Sequence, residues 1–411
     1  MMSEAKKRVP KRRFKEFFNA GDWEQCKLDE LTISIGDGLH GTPKYDENGS
    51  YYFINGNNLV DSKVSVTAET KKVAFEALSN DDRRLDSTSI LMSINGTMGT
   101  LARYNNENIM LGKSVAYITP KNINRDFLFY QLQGNVIQSY FYKNLTGTTI
   151  KNLGLGTIKN AIVMSTLSEE ESKIGQFFYK LDQFITLHQR KLDKLQATKK
   201  ALLKEMFPEE GQDKPKRRFK GFTGAWEQCK LGDLAEIVRG ASPRPISDPK
   251  WFDNDSNVGW LRIADVTAQD GRIRYLEQKI SELGQEKTRV IKTPHLLLSI
   301  AATVGKPVIN YVPTGVHDGF LIFLNPKFNI LYAFWWLEMF REKWNKYGQP
   351  GSQVNLNSDL VKNQVINIPN EKEQEKISSF LESLDKIITL HQRKLDKLKN
   401  LKQAYLNEMF V

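Results

Sequence analysis

The run ITLHQRKLDKL at Ile185–Leu195 returns letter for letter at Ile388–Leu398, and an uninterrupted identity of eleven residues marks an internal repeat. Around it, seam residues step alternately by four and three: Ile174, Phe178, Leu181, Ile185, His188, Leu192, Leu195, Lys199, Leu202, Met206. Adding 203 gives the second copy: Ile377, Leu381, Leu384, Ile388, His391, Leu395, Leu398, Lys402, Tyr405, Met409. Eight of ten positions in each copy are apolar, which predicts a coiled-coil seam more than four heptads long. Ser168 with Glu171, and Asn370 with Glu373, predict helix N-caps of the capping-box kind, and Pro208 stops the first helix. About 39 residues of helix reach roughly 58 Å at ~1.5 Å per residue. Two such helices in one chain pack most simply on each other, as a rigid spacer.

The repeat extends to the flanks. KRRFK at Lys11–Lys15 returns at Lys216–Lys220, and WEQCKL at Trp23–Leu28 returns at Trp226–Leu231. Trp23 and Trp226 differ by 203, as do His188 and His391, so the halves match in length while their middles differ. The expected organisation is a mixed domain over 12–168, a helix over 169–207 and a polar linker over 208–215. A second mixed domain over 216–370 and a second helix over 371–411 follow. Inside the domains, Tyr51–Ile54, Ile90–Ile94, Val115–Ile118, Leu296–Ile300 and Phe320–Leu324 predict strands, with Gly, Asn and Pro between them. Arg125–Tyr142 and Leu331–Tyr347 predict one amphipathic helix each. LMSINGTMG at Leu91–Gly99 corresponds to LLSIAATVG at Leu297–Gly305, and GTTI at Gly147–Ile150 to GSQV at Gly351–Val354. The fold class is therefore α+β: two mixed α/β domains of one fold with different surfaces, joined by long helices in an internal pseudo-two-fold repeat.

Charge narrows the partner. Lys and Arg number 59 against 48 Asp and Glu, a net +11 with a pI near 9.3, which favours a polyanionic partner. No window approaches 18 consecutive apolar residues and the N-terminus lacks the apolar core of a signal peptide, so the expectation is a soluble cytoplasmic protein with no membrane contact. Cys26 and Cys229 hold equivalent repeat positions, one per half, which argues against a disulfide, and two thiols alone make no zinc site.

Catalytic look-alikes fail on their chemistry. Gly112-Lys113-Ser114 ends like a phosphate-binding loop, but Glu107 stands where the backbone needs Gly to wrap a phosphate. Gly154-Leu155-Gly156 is a lone GxG, and Ser358 replaces Gly154 in the second half. Asp248-Pro249-Lys250-Trp251 has Lys250 where an aminomethyltransferase motif has a second Pro. Glu277-Gln278-Lys279 with Asp265 or Asp270 imitates the acidic pair of a Mg²⁺ nuclease, yet 26% of residues are charged and such triplets recur by chance. His188 and His391 read as polar seam residues that fix register. His40 lies in GDGLHGTPK (Gly36–Lys44) and His317 in GVHDG (Gly315–Gly319), neither within a paired motif. The chain is expected to catalyse nothing by itself.

Binding remains. The loop RGASPRP at Arg239–Pro245 and its counterpart Gly36–Lys44 combine Gly with donors able to reach phosphates or base edges. Asn55, Asn57 and Asn58 align with Arg262, Ala264 and Asp265; Asn reads adenine, Arg reads guanine and Asp accepts from cytosine in a major groove. Two domains reading different short sequences need such opposite chemistry at matched places. The candidate DNA-contacting set is His40, Thr42, Lys44, Asn55, Asn57, Asn58, Lys113, Thr148, Thr149 and Lys151 in the first half. In the second it is Arg239, Ser242, Arg244, Arg262, Asp265, Lys306, Gln353 and Asn355.

This layout resembles the specificity subunits of Type I restriction–modification enzymes. The doubled WEQCKL frame, SINGTMGT and SIAATVGKP carry the resemblance, together with Ile368-Pro369 leading into EKEQEKISSFLESLDKIITLHQRKLDKL. The first half departs from it, because SEEESKIGQFF lacks the Pro and Gln of the Pro…EQ pattern. The resemblance implies two target-recognition domains, each reading half of an interrupted double-stranded DNA target. It implies antiparallel helices that set the gap and hold two methyltransferase subunits. It places S-adenosylmethionine on those partners, ATP and Mg²⁺ on a separate motor–nuclease subunit, and no cofactor or metal in this chain. A DNA-binding scaffold without such partners, or a standalone restriction or methylation enzyme, are the other readings.

Overall fold

The structure is a computed structural model describing residues 8–411 except 79, 81, 83, 84, 150, 302 and 348–355. It divides into two units, Met1–Arg190 with Arg393–Val411, and Lys191–Gln392. In the first unit, Thr32–Asp37, Val115–Pro120, Ile90–Ser93 and Leu101–Arg103 form an antiparallel sheet in that spatial order. Tyr51–Ile54 pairs in parallel with Ile109–Leu111 and antiparallel with Lys72–Val73. The second unit repeats the plan. Glu236–Arg239, Phe320–Leu324, Leu296–Ser299 and Pro307–Asn310 lie in matching order, with Arg272–Ile273 added as a parallel edge. Gly259–Leu261 pairs in parallel with Thr314–Val316. The predicted strands are all present, and Ile90–Ser93 and Leu296–Ser299 are buried throughout because both sheet faces are covered.

The long helices run Ser168–Glu205 and Glu371–Glu408, 38 residues each. None of the twenty seam residues is exposed. Within the first unit Asp182 pairs with Lys402 at 2.7 Å and Lys399 donates to Gln189, while Phe177 meets Tyr405. Numbers rise on one helix as they fall on the other, so the packing is antiparallel. The two seam lysines are explained by their partners. Lys402 reaches Asp182 and lies over Tyr130, and Lys199 in the second unit reaches Asp385 and lies over Trp335. Met409 and Phe410 sit in the first unit's core against Trp23, Phe127 and Phe178, and Met206 and Phe207 in the second unit's core beside Tyr332.

Neither expected capping box forms in full. Asn370 accepts from the Glu373 N–H at 3.1 Å, but the Glu373 carboxylate does not return the bond; it binds Arg218. The first helix starts at Ser168, with the Glu171 N–H bonded to Leu167 C=O. The Glu171 carboxylate accepts instead from Asn124 N–H and Thr166 N–H, and burial nevertheless pushes its pKa above the usual carboxylate range. Each shorter helix is also shaped locally. Arg125–Tyr142 breaks at Gly134, whose extended backbone closes Arg125–Gln133 and starts Asn135–Lys143. The second is α-helical over Ile330–Phe340 and continues as a 3-10 helix over Arg341–Tyr347. Asn124 and Asn329 cap these helices by accepting two backbone N–H bonds each.

Candidate nucleic-acid interface

In the first unit, backbone bonds draw five loops together. Gly38 N–H donates to Val115 C=O and Leu39 N–H to Leu111 C=O, which lays Gly36–Lys44 against Gly112-Lys113-Ser114. A Cβ at position 38 would lie 2.1 Å from the Leu111 carbonyl oxygen, so the approach requires glycine. Ser114 Oγ donates to Asn55 Oδ1 at 3.0 Å and accepts from Gly56 N–H at 2.9 Å, pinning residues 55–58 to the same place. Thr97 Oγ1 donates to Gly56 C=O, and Leu153 N–H to Ile94 C=O, bringing in loops 94–99 and 146–152.

The second unit builds its rim around Asp318. Gly240 N–H donates to Phe320 C=O and Ala241 N–H to Val316 C=O, as Gly38 and Leu39 do in the first. The Asp318 carboxylate accepts from Ser242 Oγ at 2.7 Å and Arg244 Nη2 at 2.8 Å, and its carbonyl accepts from Arg239 Nε at 2.6 Å. Burial opposes ionisation of Asp318, but the Ser242 bond and the Arg244 charge outweigh it and hold the carboxyl below its usual range. His317 packs against Trp260 and Phe320, accepts from Gly319 N–H, and is pushed down in pKa by burial. It therefore shapes the loop as a neutral ring. The SINGTMG and SIAATVG loops fold alike: Thr97 and Thr303 donate to Ser93 and Ser299, and Gly99 and Gly305 both take a left-handed φ, +78° and +76°.

The Type I restriction modification DNA specificity domain matches this chain twice, over residues 20–197 and 224–400. The chain belongs to that family. A crystal structure of the Type I restriction–modification system S subunit from M. genitalium shares its fold. The two align with a TM-score of 0.62 at 14% identity, over 98% of this chain and 99% of that one. A structure describing complex assembly and conformational transition of the type I R-M system aligns with a TM-score of 0.56 at 16% identity, over 94% and 97%.

In this specificity chain the sheet registers are superimposable: Val115 faces Ser93 as Phe320 faces Ser299. Lys113 thus occupies the place of Asp318, and Asp37 that of Arg239. The charges are exchanged at both matched positions, a contrast that the differing spacing of GKS and GVHDG hides in sequence. Asp37 and Asp318 are charged rim residues that the sequence-based candidate set left out; Asp37 accepts from His40 Nε2 at 2.8 Å. His40, Thr42, Lys44, Asn57, Lys113, Thr148, Thr149 and Lys151 are exposed on the first rim, and Arg239 and Arg244 on the second, with Ser242 half-buried.

Other candidates are held in internal bonds. Asn58 Oδ1 accepts from Asn55 N–H and Asn58 Nδ2 donates to Ser65 C=O. Asp265 is buried, accepting from Arg262 N–H, Nε and Nη2, and Arg262 also reaches Glu277 at 3.5 Å. These are one device twice, a polar side chain three residues into a short helix closing the backbone at its start. Lys306, at the end of the SIAATVG loop, is buried and its ammonium pairs with Asp270 at 2.7 Å and Glu338 at 3.2 Å. Gln353 and Asn355, with all of GSQV, lie outside the described residues. Among the described residues no cluster of three or more His, Cys, Asp or Glu could hold a metal, and no helix is long and apolar enough to cross a membrane.

Proposed function

We propose that the chain is the DNA-reading subunit of a Type I restriction–modification complex, each recognition domain reading one half of an interrupted duplex target. The observation that carries this is the pair of matched loop rims with exchanged charge, Asp37 and Lys113 against Arg239 and Asp318. One scaffold with opposite donor and acceptor chemistry is what two different half-sites require. The accessible members of the candidate set supply the contacts: Asn57, Lys113 and Lys151 with the His40–Lys44 loop on the first rim, and Arg239 and Arg244 with half-buried Ser242 on the second. Phosphates take most of the +11 charge and the rims take the base edges.

The long helices dock two methyltransferase subunits. Phe184 and Leu187 are 56% and 62% exposed, and their repeat partners Ile387 and Leu390 are 44% and 63% exposed. Equivalent apolar pairs outside the seam suit two copies of one partner. Methyl transfer with S-adenosylmethionine, and cleavage with ATP and Mg²⁺, belong to the partner subunits, with this chain non-catalytic.

Methylated-base mapping of a strain carrying the chain with its partners tests the reading. The expected result is a split motif with an unspecified gap. Arg244→Ala or Asp318→Asn should relax one half of that motif and leave the other intact. A continuous motif, or both halves changing together, would sink it.

A further inference from the structure

We propose that the first unit holds a cationic cavity that receives an acidic side chain of the methyltransferase subunit. This rests on the specificity-subunit reading and names a contact within it. The cavity, about 360 Å³, lies between the recognition domain and the first long helix, and shares no residue with the loop rim. Its walls include Lys63, Arg103, Arg125 and Arg190, with Tyr179 and Leu187 from the helix.

Arg103 is the buried member. Its guanidinium lies 3.8 Å over the Phe129 ring, and its Nε donates to Asp126 at 2.7 Å. Its Nη2 is buried with no hydrogen-bond partner. Asp126 is shared, since Arg125 approaches the same oxygen at 3.8 Å. The wall acid Asp182 is already engaged by Lys402 and the Tyr130 hydroxyl, both at 2.7 Å. That leaves Asp61 at the mouth as the other nearby carboxylate, against four cations. The excess is positive: Arg103 is buried, while Lys63 and Arg190 are exposed and open to a partner.

The second unit shows what such an arginine takes. Arg272 lies 4.0 Å over Phe334, five residues after capping Asn329 as Phe129 is five after Asn124. It donates to Glu382 Oε2 at 2.7 Å, a carboxylate on the long helix. Subtracting 203 from Glu382 gives Tyr179, so Arg103 takes its one carboxylate from Asp126 instead of from the long helix, and each arginine keeps one buried Nη without a hydrogen bond. With Asp126 and Asp182 engaged, a carboxylate from outside answers the remaining cations, Lys63 and Arg190. Tyr179 is 40% exposed and Leu187 62%, and Phe184 lies within one turn, so the approach is apolar. Exposed Tyr179 and Leu187 beside Lys63 and Arg190 fit a protein helix bearing an acid better than a DNA phosphate.

The test measures association of the full chain with its methyltransferase subunit. Lys63→Glu with Arg190→Glu should weaken it at least about tenfold and flatten its salt dependence. Tyr179→Glu should weaken it similarly by filling the cavity from within, whereas Lys143→Glu, at the exposed end of the Asn135–Lys143 helix, should not. Circular dichroism melts confirm that the variants fold. Wild-type association in both cavity variants would overturn the proposal. So would unchanged subunit association with weakened binding of a duplex oligonucleotide, which would make the cavity a phosphate site. A wild-type chain that binds no methyltransferase subunit would instead remove the reading beneath it, and the proposal with it.

Discussion

Arg13 and Arg218 decide how each long helix begins. Glu170 and Glu373 are wholly buried, and each is met by a two-pronged arginine: Arg13 at 2.6 and 2.7 Å, Arg218 at 2.7 and 2.8 Å. Trp23 Nε1 also donates to Glu170. The preceding arginines reach the end of the other helix, Arg12 to Glu408 and Arg217 to Glu205. The repeated RR dipeptide therefore ties a helix start to a helix end in each unit. Arg13→Ala or Arg218→Ala leaves a buried carboxylate unanswered and should cost about 3–5 kcal/mol, measured by denaturant unfolding. Arg13→Lys should rescue only part, because an ammonium cannot make the two-pronged bond. A loss below about 1 kcal/mol in both alanine variants would show that water reaches the carboxylate. The KRRFK repeat was legible in sequence; the burial of its second arginine was not, because its partner lies 157 residues away.

At the scale of the element, the seam was legible almost residue by residue. Burial along a helix follows its 3.6-residue turn, so the four–three step reports directly which face is covered. The joint between units was not legible. Lys199 is held by Asp385 inside the second unit, so four residues inserted after it would drive Met206 and Phe207 out of that unit's core. A test of the proposed ruler role therefore inserts at the unit boundaries, 190/191 in one helix and 392/393 in the other. Four residues at both sites add about 6 Å at ~1.5 Å per residue. With ~3.4 Å per base-pair step, the gap in the methylated motif should grow by one or two base pairs while both half-sites persist. The matched stutters are absorbed by local unwinding. An unchanged gap on methylation mapping would make the helices docking surfaces only.

At the scale of the molecule, each unit is completed by the far end of a helix that begins in the other half of the sequence. The first core contains Leu406, Met409 and Phe410; the second contains Met206 and Phe207. Because Met-Phe ends both helices, a fragment of residues 8–207 carries a substitute for what its own core lacks. Two copies should exchange those ends, giving a homodimer by light scattering after size exclusion; a folded monomer would contradict this. The repeat, the seam, the strands and the two-domain plan were set by sequence alone, since periodicity and identity are properties read locally along the chain. Tertiary structure decided which charges meet: Arg13 with Glu170, Lys199 with Asp385 across 186 residues, and Ser242 with Asp318 across 76. It also decided that Lys113 and Asp318 share one place. The physical reason is that such partners are chosen by sheet register and helix packing, which only the folded chain brings together.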